Sequence, residues 1–400
     1  MRYAVILPLV LLAGCGILSK PEQPSTPLPS PYPIDFPLIL KWQWRGPGLI
    51  VGPPVADADR VYVTTSKGYG YALDPSTGQA RWMFKAMHEI PTQPVLSGDR
   101  ILLFSRDDEY FELSASTGEV VYKQLKFGAP STPGVLAGES LYFIAGESQL
   151  RCYSIKEHRF VWKASPGGKI VSPPAIEGDR LYVATLAGEI HCLRAGDGTT
   201  VWTCAGGGEM RSRPAVLREV IVAGSTDNFI YGVDKEKGTV KWRVRTEADV
   251  VAPPVVAMID GRERVFVAGY DNFLYCLKDN GAWVFRTPIP ARMYDQLLVF
   301  DHMIVVASFS NRLTAVDPIT GAAIPSGVVD LGAESRTTPL LANRVLYAAT
   351  YDAESGEGIL TAYVMQPPPP PPAPQSQPAA AQSQPAAQSQ PAAQSQPAQK

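Results

Sequence analysis

The sequence predicts an all-β chain assembled from a repeated unit of about forty residues. Three observations carry that expectation. Tryptophans 42, 82, 162, 202, 242 and 283 are spaced by 40, 80, 40, 40 and 41 residues, and Tyr122 fills the missing rung. Prolines 54, 94, 174, 214 and 254 keep the same step, with Gly134 in the gap. Between the rungs apolar and polar residues alternate with a period of two, and helical periodicity is almost absent.

Each unit reads in the same order. Proline opens it at a strand start, where no ladder hydrogen bond is lost. A polar turn follows, such as Asp59-Arg60, Asp99-Arg100 or Asp179-Arg180. Next come an alternating strand (Val61-Tyr62-Val63, Leu181-Tyr182-Val183), a Gly/Asn turn and a second alternating strand (Tyr71-Ala72-Leu73, His191-Cys192-Leu193). A tight turn then precedes the tryptophan strand, as in Asp74-Pro75-Ser76-Thr77-Gly78, Asp234 to Gly238 and Asp317 to Gly321. There the Asp carboxylate accepts backbone N–H bonds and the glycine supplies a positive φ. The tryptophan adds a flat apolar surface suited to packing between units. His158 stands where the third unit has lost this glycine, and the sixth turn, Asp279-Asn280-Gly281, is shortened.

Four short strands per unit make a sheet that cannot bury both faces alone, so the units must stack and close. Units begin near residues 52, 92, 132, 172, 212, 252, 294 and 337, which gives eight. The eighth has no tryptophan strand of its own, yet Leu40-Lys41-Trp42-Gln43-Trp44 precedes the first unit and matches one. The expected fold is therefore an eight-bladed β-propeller of four-stranded antiparallel blades over residues 39–365, closed by the N-terminal strand. Seven blades with loose ends is the alternative.

The flanks differ in kind. Arg2 and an apolar run from Ala4 to Ala13 read as a secretory signal at residues 1–14, too short to span a bilayer. Leu12-Ala13-Gly14-Cys15 resembles the lipobox of bacterial lipoproteins, which implies cleavage before Cys15 and its lipidation. Gly16 rather than Asp at the next position implies outer-membrane sorting, with the molecule facing the periplasm. Residues 15–38 are a proline-rich linker, a semi-rigid spacer. Residues 366–400 contain almost only Pro, Gln, Ala and Ser and are expected to be a disordered tail. The 38 prolines are thereby explained: 19 fall in the linker, the tail and the signal, and the rest sit at turns and strand starts of the repeats. A net charge of −2 leaves no basic surplus for nucleic acid.

The repeated Asp-x-x-Thr-Gly-x-x-x-Trp motif is similar to the repeat of pyrroloquinoline-quinone-type propellers. With the lipobox and eight blades, the chain resembles the BamB family of lipoproteins of the outer-membrane β-barrel assembly machinery. That resemblance implies a non-enzymatic scaffold without cofactor, which binds the barrel-assembly protein and nascent outer-membrane proteins. Two other classes compete. A quinoprotein dehydrogenase would carry an adjacent cysteine pair, and none of the five cysteines is adjacent to another. A periplasmic module that recognises cell wall or a ligand remains open.

No catalytic residue or metal site is expected, since His88, His158, His191 and His302 lack metal-type spacing. Cys152, Cys192 and Cys276 share one repeat position with Ala72, which reads as a small buried site holding free thiols. Loops preceding each strand-opening proline should crowd one face around the axis. Arg211 and Arg336 occupy one repeat position there, Arg292 falls close to it, and other blades carry Val51, Ser131, Val171 and Val251. These three arginines are the expected partner-binding residues, because arginine is favoured as an interface anchor.

Overall fold

The computed structural model describes residues 37–365, apart from residues 294, 295, 301, 308, 309 and 336. The signal, Cys15, most of the linker, Arg336 and the tail lie outside the described residues. Among the described residues there is no helix, and thirty-two strands form eight separate four-stranded antiparallel sheets. The chain is an eight-bladed β-propeller.

Blade 1 shows the plan: Val55–Ala56, Val61–Thr64, Tyr69–Leu73 and Ala80–Lys85 pair in sequence order. The first strands are only two to five residues long, and those of blades 1 and 2, 2 and 3, 4 and 5, and 5 and 6 lie against each other. They form the inner wall of the ring. Second and third strands are buried nearly throughout, as in Val61–Thr64 and Val220–Gly224, because both faces pack on neighbouring blades. Fourth strands alternate, with Ala80–Lys85 burying Trp82 and exposing Arg81 and Met83.

Closure follows the sequence expectation. Leu38–Pro47 pairs antiparallel with Glu357–Met365 and becomes the fourth strand of blade 8. Trp42 faces Ala362 in that register, and the Arg45 guanidinium lies 3.3 Å from Asp352. The last free edge of the sheet is thereby covered by a segment some 300 residues away in the chain.

The period of forty has a mechanical meaning. In five blades the indole N–H of the motif tryptophan donates to a turn carbonyl of the next blade. Trp42 reaches Pro75 O at 3.0 Å, Trp82 reaches Ala115 O at 2.9 Å, and Trp162 reaches Ala195 O at 2.9 Å. Trp202 donates to Lys235 O at 2.9 Å and Trp242 to Asp279 O at 2.8 Å. The turn glycine lies under the ring: a Cβ on Gly78 would meet Trp42 at 2.6 Å, and φ there is 74°. Glycine thus serves twice, for its backbone conformation and for the room it leaves an indole. The turn aspartates act as expected, with Asp74 Oδ1 accepting the N–H groups of Ser76 at 2.8 Å and Thr77 at 3.0 Å. A bulge in each of these fourth strands, such as that between the pairs Ala72–Trp82 and Leu73–Ala80, sets the tryptophan's register.

Three joints depart from the plan: that between blades 7 and 8 has no tryptophan, since none follows Trp283 in the sequence, and two others exchange their parts. In blade 6 the shortened turn shifts the register, so that Phe285 faces Cys276 and Trp283 faces Leu277. Phe285 lies over Gly321 of blade 7, where a Cβ would meet it at 2.5 Å. Trp283, expected to be the sixth member of the ladder, is instead 47% exposed and stands outside the joint. The physical reason is the one-residue-shorter turn: Gly281 N–H bonds to Lys278 O three residues back, whereas Gly78 N–H bonds to Asp74 O four back.

Between blades 2 and 3 both halves of the joint are exchanged. Tyr122 replaces tryptophan and His158, at φ 50°, replaces glycine; their rings stack face to face with centroids 3.7 Å apart. His158 Nε2 also lies 3.0 Å from Glu112 Oε1. The buried Glu112 carboxylate further accepts the Tyr110 hydroxyl at 2.9 Å and pairs with Arg100. A double-mutant cycle tests this exchange. Tyr122→Trp alone should overpack the imidazole and cost about 1–3 kcal/mol. Adding His158→Gly should restore the common joint, giving a coupling energy of roughly 1 kcal/mol or more in urea titrations; additive costs would contradict the pairing.

Candidate functional site

The face that carries the blade-connecting loops is built around one buried anchor per loop. Ile50, Ile90, Ile170, Met210, Val250 and Met293 are all 2% exposed or less. Backbone bonds tie these anchors to neighbouring blade turns, as in Met210 N–H to Thr185 O at 3.1 Å and Val250 N–H to Ser225 O at 3.0 Å. Residues beside each anchor are therefore presented on a rigid frame.

Arg211 directly follows its anchor Met210 and is exposed, with its guanidinium paired to Glu209. Arg292 precedes the anchor Met293, so it matches Glu209 in the repeat and stands two positions from Arg211. Its guanidinium lies over the Tyr270 ring at 5.6 Å. Arg336 is outside the described residues, and Arg211 and Arg292 stand on different loops, those entering blades 5 and 7, each with its own partner. The sector also carries acids, with Glu247 paired to Arg286 at 2.7 Å. It is a mixed-charge rim rather than a basic patch. A shallow open cleft lined by Gly206, Gly207, Tyr231, Trp242 and Arg243 lies beside it.

No group of three or more His, Cys, Asp or Glu residues suited to a metal occurs among the described residues. His191 is buried between Glu189 at 3.1 Å and Thr203 at 3.0 Å, and burial holds its pKa below the ordinary value. Cys152, Cys192, Cys204 and Cys276 are free and buried. Cys152 and Cys192 face Trp162 and Trp202 in the register, and Cys276 faces Phe285, so the small thiol makes space for the joint's aromatic ring. Burial raises all four thiols, Cys276 to about 12, which keeps them protonated and unreactive.

With fold and rim established, comparison with known proteins defines the class. The family model described as outer membrane protein assembly factor BamB matches residues 40–165 and 146–263. The chain belongs to that family. No curated protein matches the sequence. Among solved structures, BamB from Moraxella catarrhalis shares 15% identity at a TM-score of 0.54, covering 68% of this chain and 96% of its own. The computationally designed Ika8 protein shares 12% identity at a TM-score of 0.66, covering 80% of this chain and 97% of its own. A quinohemoprotein alcohol dehydrogenase from Pseudomonas putida HK5 shares 11% identity at a TM-score of 0.65, covering 84% and 78%. At these identities the structural likenesses speak for the fold, which serves both scaffolds and enzymes.

Proposed function

We propose that the chain is a non-enzymatic scaffold lipoprotein of the outer-membrane β-barrel assembly machinery. The observation that carries this reading is the family match across residues 40–263. In it, Cys15 is lipidated and holds the molecule to the outer membrane on its periplasmic side. The rim bearing Arg211, Arg292 and Arg336 binds the barrel-assembly protein and nascent outer-membrane proteins. The absence of an adjacent cysteine pair from the sequence weighs against the quinone enzymes that share the fold.

The test is affinity purification of the full chain from solubilised outer membranes, followed by mass spectrometry. Barrel-assembly subunits should co-purify, and Arg211, Arg292 and Arg336 changed together to alanine should reduce their recovery by about tenfold or more, since anchors of this kind contribute at least 1–2 kcal/mol each. Unchanged recovery would remove the rim from the account. A quinone absorbance with dye reduction in place of those subunits would replace the scaffold with a dehydrogenase.

A further inference from the structure

Blades 5 and 6 share one arrangement around an arginine of the outermost strand. In blade 6, Arg286 of Trp283–Pro288 faces Tyr275 in the register and lies over the Phe273 ring at 3.6 Å. Across the groove between the two blades its guanidinium pairs with Glu247 of blade 5 at 2.7 Å. In blade 5, Arg243 of Val240–Arg245 likewise faces Tyr231 and lies over the Phe229 ring at 4.8 Å. The acid behind the tyrosine is repeated as well, since the Tyr275 hydroxyl donates to Asp271 and the Tyr231 hydroxyl to Asp227.

The acid across the groove is not repeated. Glu247 stands five residues after Trp242, and the residue five after Trp202 is Gly207. Arg243 therefore faces no carboxylate from blade 4. Arg243 and Arg245 are both exposed, and neither forms an ion pair among the described residues. A cleft of about 520 Å³ opens at this place, lined by Gly206, Gly207, Tyr231, Lys241, Trp242 and Arg243. The two positions that pair in the next groove are thus the two sides of the cleft in this one. Lys241 is already matched, with Asp234 at 3.3 Å, so Arg243 is the cation lining the cleft that lacks a counter-charge among the described residues. Asp227 does not forbid a second acid here, because Asp271 stands in the same place and Arg286 still holds Glu247.

A guanidinium takes a carboxylate through two parallel N–H bonds. One exposed ion pair contributes little alone, so a stable contact needs more than Arg243. The strand supplies it: Arg243 and Arg245 point to the same side, roughly 6.6 Å apart along the chain. Acidic residues at alternate positions of an extended peptide have that same spacing.

We infer that the groove between blades 4 and 5 recognises an acidic segment of a protein partner, whose glutamate or aspartate takes beside Arg243 the place that Glu247 takes beside Arg286. The site contains none of the rim arginines and does not depend on what the rim binds.

Fluorescence anisotropy on the full chain at low salt tests it, with a dye-labelled Thr-Glu-Thr-Glu-Thr peptide as probe and Thr-Gln-Thr-Gln-Thr as its neutral counterpart. The glutamate peptide should bind saturably and the glutamine peptide should not. Arg243→Gln should weaken binding by about tenfold or more, the loss of one charge-assisted pair. Arg218→Gln, at an exposed arginine of the same blade, should leave it unchanged. Gly207→Glu should also weaken binding, because it supplies the carboxylate from within. A Cβ there presses on the carboxylate end of Asp227, so circular dichroism must show this variant folded; if it is not, Arg243→Gln decides. No binding by the parent, equal binding of the glutamine peptide or equal binding by Arg243→Gln overturns the inference. So does displacement of the peptide by an equal concentration of inorganic phosphate, which would make the groove a phosphate site.

Discussion

Trp82→Ala lowers stability by about 3–5 kcal/mol, whereas Trp283→Ala lowers it by about 1 kcal/mol or less. The two tryptophans look alike in the sequence, each a rung of the ladder. Trp82 is 8% exposed, faces Ala72 within its blade and donates to Ala115 O of the next at 2.9 Å. Its truncation opens a cavity between two sheets and leaves the Ala115 carbonyl with only the longer Tyr62 hydroxyl bond, at 3.2 Å, two costs that add. Trp283 is turned to the outside of blade 6 and meets only the Tyr275 ring edge-on among the ring contacts described. Urea titration followed by circular dichroism reads both variants. Equal losses would show that Trp283 takes part in a blade joint and that Phe285 does not.

Deleting the closing strand Leu38–Pro47 has the larger effect. The deletion bares the hydrogen-bonding edge of Glu357–Met365 along nine paired positions. It also removes Trp42 from its place over Gly78 and breaks its bond to Pro75, which opens the seam between blades 8 and 1. Loss of the Trp42 joint alone is of order 3–5 kcal/mol, against about 5–15 kcal/mol of net stability for a whole domain. The newly bared nine-residue edge then favours pairing with another chain. The deleted protein should aggregate or run as higher oligomers in size-exclusion chromatography with light scattering. A monomer with the parent's melting temperature would mean that the ring does not close through this strand.

Much of the fold was legible because the joint between blades is a sequence motif. A turn glycine with an aromatic residue four later recurs at Gly78/Trp82, Gly118/Tyr122, Gly198/Trp202, Gly238/Trp242 and Gly281/Phe285, so the period announces the ring. The ladder misled at Trp283 because spacing from tryptophan to tryptophan hides a shortened turn; counting four residues from Gly281 arrives at Phe285. The Tyr122–His158 exchange was half legible, since the lost glycine is visible in the sequence but its compensation lies in the neighbouring blade. The rim was less legible still. Arg211 and Arg292 read as near-equivalents along the chain, and only the buried anchors Met210 and Met293 show that one follows and the other precedes its anchor.

The direct measurement is the affinity of the purified full chain for the purified periplasmic portion of the barrel-assembly protein, at two salt concentrations. The account predicts saturable binding that weakens as salt rises, because rim charges steer and anchor the contact. It also predicts that Arg211→Ala with Arg292→Ala weakens that binding. Failure to bind at either salt concentration, with the propeller folded, would contradict the assignment of this chain as a barrel-assembly scaffold.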